Sequence, residues 1–211
     1  MSEQPAPRVV FREAAAADLP EVIENTKRTH ALHSQLYPDI FSPDPEEIEL
    51  VDHLQKAVSA NVSHRKLGQI DLVLFVAELK GQVIGHIFLW LFPEIIDKGN
   101  RRHRSLHIAD ISFHPDARNK GMGGKALAHV RDWAFSMGVT DLVATVWEGN
   151  QASQALFHSN GFTAPSRDFL LQIREPEVVE PPQQGFLSRH AQAITALIIL
   201  VAAALYAFAN R

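Results

Sequence analysis

The 211-residue chain contains no cysteine. Disulfide bonds, thiolate nucleophiles and cysteine-based metal sites are therefore excluded, and a reducing compartment is compatible with this composition. The 11 histidines do not form a His-Glu-x-x-His pattern, so we expect no metal site.

The chain also lacks an excess of basic residues, since it has 20 Lys+Arg residues and 24 Asp+Glu residues and its formal net charge is −4. All of the acidic residues precede Pro181, whereas two arginines follow it, so the N-terminal part is more acidic still. The one basic run, 101–104, is too short to change this balance. The composition therefore gives no reason to expect a nucleic-acid partner.

Long apolar runs are absent except for one, residues 191–209. As a helix this run would measure about 28 Å, close to the hydrocarbon thickness of a bilayer. We therefore expect a C-terminal transmembrane helix, residues 189–211, after a Pro- and acid-rich linker, residues 175–188, and a domain at 1–174. The basic flank at Arg189 predicts a membrane-anchored protein whose domain faces the cytoplasm. An oligomer-packing helix is the alternative, and the oligomeric state stays open.

Periodicity and breaker residues predict an α/β domain with a mixed central sheet flanked by helices. The predicted strands are Val9–Glu13, Leu72–Glu78, Gln82–Leu91, Ser105–Phe113, Leu142–Trp147 and Phe169–Arg174. The predicted helices run from a cap at Asp18 to about His33, then over Glu46–Ala60, Lys125–Met137 and, capped by Asn150, Gln151–Ser159.

A glycine-rich turn, Arg118–Gly124, lies between a predicted strand and a predicted helix. Glycines allow close approach of a ligand to the backbone, and the free amides of a helix N-terminus attract anions. The turn matches neither the P-loop nor the Gly-x-Gly-x-x-Gly pattern. Taken alone, it is equally consistent with an anion site and with a tight turn that needs glycine for packing.

Two segments in the same register resemble the motifs of the GNAT superfamily of N-acetyltransferases. The first is Asp110–Gly124, and the second, about thirty residues later, is Asn150–Phe162. The resemblance covers roughly residues 9–174. It implies the GNAT fold with a partly splayed sheet, acetyl-CoA as co-substrate without a metal, and acetyl transfer to an amine acceptor, which is a protein or a small molecule.

The resemblance also implies a set of residues that bind acetyl-CoA. Backbone groups of Ile111, Ser112 and Phe113 would pair with the pantetheine arm, and Asn150 would approach the same region. Phe157 stands at the position of the family's tyrosine. The residues expected around the pyrophosphate are Arg118, Asn119, Lys120, Gly121, Met122, Gly123 and Gly124.

Three residues are candidates for moving protons. His107 occupies a recurrent base position of the family, and strict strand alternation predicts that it points the same way as Ile111 and Phe113. Asp110 would then lie on the opposite face and orient a neighbour. Glu148, after the next strand, is a second candidate base.

The chain departs from the family pattern at two positions. Thr145 stands where related protein N-terminal acetyltransferases have a glutamate. Phe157 replaces the tyrosine that usually protonates the leaving thiolate, so either solvent supplies this proton or the protein is a sensor or scaffold that binds acetyl-CoA without turnover.

The acceptor is expected to contact the region after the first helix. Tyr37 and Phe41 lie where the family builds its substrate wall, and we interpret them as acceptor-binding. His30 and His33 are one helical turn apart, which favours a solvated face.

Overall fold

The computed structural model describes residues 8–42, 50–58, 66–67, 69–96 and 100–164. The helices are α1 (Leu19–Leu36), α2 (Leu50–Ala57), α3 (Met122–Ser136) and α4 (Gln151–Ser159). The strands are β1 (Val10–Glu13), β2 (Lys66–Leu67), β3 (Ile70–Leu79), β4 (Gln82–Leu91), β5 (Ile95–Ile96), β6 (Arg102–His103), β7 (Ser105–Phe113) and β8 (Asp141–Ala144). These elements belong to one compact unit, Met1–Ile96 with Arg101–Phe162.

The central sheet has the strand order β1-β3-β4-β7-β8, and the short strand β2 pairs with β3. Neighbouring strands are antiparallel except β7 and β8, which are parallel. A separate hairpin consists of β5 and β6. The predicted mixed α/β sheet is therefore confirmed.

The two faces of the sheet are covered by different helices. On one face, α3 and α4 pack against a cluster of apolar side chains that includes Phe75, Ile87, Leu89 and Ile108. On the other face, α1 and α2 lie over β3, β4 and β7. This second interface contains fully buried polar groups, among them His86. The α1/α2 face is thus a mixed polar and apolar interior, whereas the buried cluster on the α3/α4 face is apolar and His129 of α3 packs beside it.

Helix α1 runs on to Leu36 and β3 is longer at both ends than predicted, and three further features differ from the sequence-based predictions. Strand β8 ends at Ala144 because its pairing with β7 ends there, and residues 145–147 leave the sheet. Helix α3 begins three residues earlier than predicted. Asp18 stands at the N-cap of α1, but its carboxylate accepts hydrogen bonds from Arg12 Nη1 and Ala15 N, both at 2.7 Å, instead of capping that helix.

Several predictions lie outside the described residues. They are the strand at 169–174, the linker at 175–188 and the transmembrane helix at 189–211. Among the helices of the described ranges, none combines the length and the apolar character needed to cross a bilayer.

Candidate active site

The glycine-rich turn joins the end of β7 to the start of α3. A short 3-10 turn, Pro115–Ala117, follows the strand, and Asn119 and Gly121 then adopt left-handed backbone angles with φ values of 57° and 70°. The first amides of α3, beginning at Met122, have no carbonyl of their own helix to bind. They form a helix N-terminus of the kind that binds phosphate groups.

The three glycines of the turn differ in what an added side chain would meet. Gly121 needs its positive φ of 70°. A Cβ on Gly123 would lie 2.9 Å from both methyl carbons of Leu156 on α4, so this glycine allows α3 and α4 to pack closely. A Cβ on Gly124 would only reach ordinary contact, 3.6 Å from Asn160 Oδ1. Conformation at Gly121 and packing at Gly123 are thus reasons for glycine at two of the positions, and ligand approach stays a prediction for the turn.

The cationic side chains of the turn are exposed. Arg118 donates from Nε to the carbonyl of Phe113, the last residue of β7, at 3.0 Å. Lys120 is exposed to solvent. Both place positive charge beside the helix N-terminus. An anion at this position would be favoured by the helix dipole and by both side chains.

In the part of the chain that the structure describes, one edge of β7 is unpaired over the residues that directly precede this turn. Parallel pairing with β8 ends at Ile108 and Ala144, whereas β7 continues to Phe113 paired only with β4 within the described residues. The sheet is therefore splayed between β7 and β8. Residues 109–113 offer backbone groups on that edge to an extended ligand.

The side chains of the edge residues are used inside the protein. Ser112 Oγ accepts a hydrogen bond from Thr29 Oγ1 at 3.0 Å and donates to the carbonyl of Asn25 at 3.3 Å. Phe113 packs directly over Gly85, where a Cβ would come within 2.3 Å of its ring. A ligand would therefore contact Ser112 and Phe113 through their backbone groups.

A β-bulge interrupts the alternation of β7. Leu89 of β4 pairs with Ile108, but the preceding residue Phe88 pairs with Asp110, so Ala109 is an extra residue on β7. Because side chains alternate along a strand, one inserted residue exchanges the two faces on either side of it. This bulge lies at the point where β7 and β8 diverge.

The bulge overturns the predicted orientation of His107. Its ring lies edge-on to Trp90 with centroids 5.8 Å apart, and Trp90 in turn contacts His53 of α2. His107 therefore faces α2, on the same side of the sheet as Asp110. The predictions that it points with Ile111 and that Asp110 lies opposite are both wrong.

The surroundings of His107 make it a weak base. Burial lowers its pKa to about 4. The nearest polar partner is Thr145 Oγ1, 3.4 Å from Nε2. The imidazole is thus neutral at pH 7, and its conjugate acid would release a proton readily.

Asp110 belongs to a buried polar network. It is 8% exposed, and its Oδ2 accepts hydrogen bonds from His86 Nε2 at 2.8 Å and Thr26 Oγ1 at 3.3 Å. The sequence does not predict the role of His86 in this network, since it shows only a histidine in the interior of the mostly apolar strand β4. The network connects β7 to β4 and α1 directly at the bulge.

An aromatic wall joins the end of α1 to the loop after β8. The ring of Trp147 contacts Tyr37 with centroids 5.2 Å apart and Phe41 with centroids 5.0 Å apart. The Tyr37 hydroxyl accepts a hydrogen bond from the amide of Gly149 at 2.6 Å. The structure thus brings the two predicted acceptor residues together with Trp147.

The two histidines of α1 belong to this wall and do not form a solvated face. His33 and His30 pack against Phe41 with ring centroids 5.2 Å and 5.9 Å apart, and His30 Nε2 lies 2.7 Å from the carbonyl of Ser42. Burial lowers the pKa of His33, and the negative charge of Asp110 partly opposes that shift. His33 is therefore close to the buried network.

The second motif is held together by its own contacts. Asn150 caps α4 as predicted, because its Oδ1 accepts a hydrogen bond from Ser153 N at 3.1 Å. Phe157 is 7% exposed and packs edge-on to Phe162 at 5.0 Å. Glu148 is exposed in the loop, and its carbonyl accepts from Gln151 Nε2 at 3.1 Å.

Comparison with known proteins assigns these features to a family. The model of the family described as "Acetyltransferase (GNAT) family" matches residues 29–162. A curated relative, "Uncharacterized N-acetyltransferase YhfO" from Bacillus subtilis (strain 168), is 30% identical over 97 residues. That alignment covers 46% of this chain and 62% of the relative, so the match spans less than two thirds of the relative's length.

Solved structures share the fold at low sequence identity. A variant of the BH1408 protein from Bacillus halodurans has a TM-score of 0.67 at 17% identity, covering 78% of this chain and 99% of its own. A "predicted acetyltransferase with acetyl-CoA" from Clostridium acetobutylicum has a TM-score of 0.56 at 17% identity, covering 78% and 96%.

Proposed function

This chain belongs to the acetyltransferase (GNAT) family, and from that premise we propose that it transfers the acetyl group of acetyl-CoA to a primary amine in a ternary complex. The observation that carries the proposal is the open edge of β7, which leads directly into the N-terminus of α3. The edge suits the amide-containing pantetheine arm, and the turn with Arg118 and Lys120 suits the pyrophosphate.

The acceptor amine is proposed to enter from the α1 side of the bulge. Phe41 and Trp147 present ring surface there, and aromatic faces attract cations. Tyr37 shapes this wall through its hydrogen bond to Gly149. The carboxylate of Asp110 supplies the negative charge that draws an ammonium group toward the thioester.

The proposed chemistry uses Asp110 as proton acceptor. The ammonium group first gives up one proton to solvent, the neutral amine then attacks the thioester carbon, and the nitrogen becomes cationic and acidic as the N–C bond forms. Asp110 then takes one proton from nitrogen, the C–S bond breaks, and solvent protonates the CoA thiolate. Glu148 and His107 are the alternative acceptors, and burial lowers the pKa of His107 to about 4.

A second candidate function is a sensor or scaffold that binds acetyl-CoA without turnover. The observation that favours it is Phe157, whose buried ring stands in place of the family's tyrosine and has no proton to donate. This candidate shares the cofactor site with the enzyme and differs in releasing no CoA.

The test is release of CoA thiol from acetyl-CoA by the full chain with a panel of primary amines: a polyamine, an aminoglycoside, a lysine peptide and a free peptide N-terminus. Gly124→Glu places a carboxylate at the pyrophosphate site, and Gly124→Ala is the matched control, because a Cβ at this position meets only ordinary contact. We expect release with at least one amine, retained in the alanine variant and lost in the glutamate variant. Binding of acetyl-CoA without release would support the sensor instead.

We also propose that residues 189–211 hold the domain at a membrane, on its cytoplasmic side. The support is compositional: an apolar run of bilayer length with a basic flank, outside the described residues. Removing the residues after Ser188 should move the protein from the pelleted membrane fraction to the supernatant. Recovery of the full chain in the supernatant would contradict this part of the proposal.

A further inference from the structure

His86 takes part in none of the proposed steps, yet the protein buries it completely. Its side chain is 0% exposed in the interior of β4. Burying an imidazole is costly unless its nitrogens are satisfied. Within the described residues Nδ1 has no hydrogen-bond partner, whereas Nε2 lies 2.8 Å from Asp110 Oδ2. An apolar side chain would fill this space without that cost, so the contact with Asp110 is what the histidine adds.

The hydrogen bonds to Asp110 are asymmetric. Both bonds found within the described residues end on Oδ2, and none ends on Oδ1. Thr26 is the weaker donor, because its hydroxyl proton is also directed at the carbonyl of Val22, 3.1 Å away against 3.3 Å for Asp110. His86 is therefore the main group that sets the rotation of the carboxylate.

Two of the histidines near Asp110, His33 and His107, carry less positive charge than exposed histidines would. His33 of α1 has its pKa lowered by burial, and His107 on β7 has its pKa lowered to about 4 for the same reason. Both are largely neutral at pH 7 and add little positive charge beside the carboxylate. The arrangement is one anchored oxygen and one free oxygen at the point where β7 and β8 separate.

We propose that His86 is a positioning residue for acetyl transfer. By donating from Nε2 to Oδ2, it holds Asp110 so that Oδ1 faces the acceptor nitrogen and accepts its proton. The inference rests on the proposed function, because it needs Asp110 to be the proton acceptor. It assigns to β4 a role in the reaction beyond supporting the sheet.

Three variants of the full chain test this role. His86→Leu removes the donor. His86→Gln keeps an N–H near the position of Nε2. Thr26→Val removes the weaker donor while keeping the branched shape, and its effect is compared with that of His86→Leu. The measurements are kcat, KM for acetyl-CoA, the melting temperature, and the ¹⁵N chemical shifts of the His86 ring, which report the proton on Nε2 without turnover.

A positioning role predicts that kcat falls by about 10- to 100-fold in His86→Leu, since a misplacement on the order of 1 Å has an effect of that size. His86→Gln should recover most of this loss, Thr26→Val should lower kcat less than His86→Leu does because it removes the weaker donor, and KM for acetyl-CoA should stay within about twofold. The parent should show Nε2 protonated, with a changed signal in Asp110→Asn.

Two results would overturn this inference and leave the proposed function standing. One is an active parent with unchanged kcat in His86→Leu, and the other is a His86 ring protonated at Nδ1 and not at Nε2. If His86→Leu fails to fold, the glutamine variant decides, because a loss of kcat as large as that of Asp110→Asn would contradict positioning by hydrogen bonding. A parent that releases no CoA with any amine would overturn the proposed function, and the inference with it.

Discussion

The two sides of β7 are built in different ways. On the α3 side, the backbone angles of the glycine-rich turn and the cap of helix α4 depend on residues close in sequence, such as Asn150 with Ser153. On the α1 side, the polar network and the aromatic wall depend on residues far apart, such as Thr26 with Asp110 and Tyr37 with Gly149. The difference separates the proposed cofactor side, whose turn and helix cap are local, from the proposed acceptor side, which only the folded sheet assembles.

The largest expected effect comes from Asp110→Asn, which should affect the acceptor side alone. The amide keeps the size of the carboxylate but cannot accept the amine proton, so kcat should fall by about 100-fold or more. Steady-state kinetics measure this loss, and calorimetric binding of acetyl-CoA serves as the control and should not change. A kcat within about threefold of the parent would leave Glu148 as the better candidate.

Local patterns predict the helices, strands and turn of the proposed cofactor side, but not what it binds. The turn, the bounds of β4, β7 and α4, and the Asn150 cap follow from breaker residues and periodicity, and the structure confirms them. The family resemblance added the splay between β7 and β8, which composition does not reveal.

The acceptor side could not be predicted in the same way, because one bulge at Ala109 reverses the strand alternation. No residue type marks a bulge here, so strict alternation of side chains along β7 predicts the wrong face for His107. His86 was missed for a related reason: a single histidine in an apolar strand gives no sign of a partner 24 residues away. Contacts of this kind are decided by strand register, which is a property of the whole sheet.

The next largest effect is a pH-dependent loss of stability that His107 causes. Its pKa is lowered from 6.5 to about 4 in the folded protein, so the unfolded chain binds the proton more readily. Stability is therefore present above pH 6.5 and is lost as the pH falls toward 4, by at most about 1.4 kcal/mol per pH unit.

The measurement is urea unfolding at pH 7 and pH 5 of the parent and His107→Gln. The parent should lose more stability between the two pH values than the variant. His33 and His129, whose pKa values burial also lowers, are present in both proteins and cancel in the difference. An equal loss in both proteins would show that His107 is hydrated in solution.

On the proposed cofactor side, Gly123→Ala and Gly124→Ala form a matched pair that tests which of the two glycines the packing of α3 on α4 requires. The first adds a Cβ 2.9 Å from Leu156, which should lower the free energy of unfolding by about 1 kcal/mol. The second meets no close contact and should leave stability unchanged or raise it by a few tenths of a kcal/mol. Thermal unfolding checks the order, and equal stabilities would mean that α4 shifts freely to accommodate the methyl group.

The smallest expected effect tests where the two sides meet. The loop 147–150 carries both Trp147 of the aromatic wall and Asn150 of the cofactor motif. Tyr37→Phe keeps the ring contact with Trp147 but removes the hydrogen bond from Gly149 N, which should lower the free energy of unfolding by at most about 1 kcal/mol. Because Asn150 is held separately by its bond to Ser153, KM for acetyl-CoA should stay constant while KM for the amine rises a few-fold. A raised KM for acetyl-CoA with a constant KM for the amine would contradict this prediction. It would mean that the loop 147–150 serves the cofactor side and not the acceptor side.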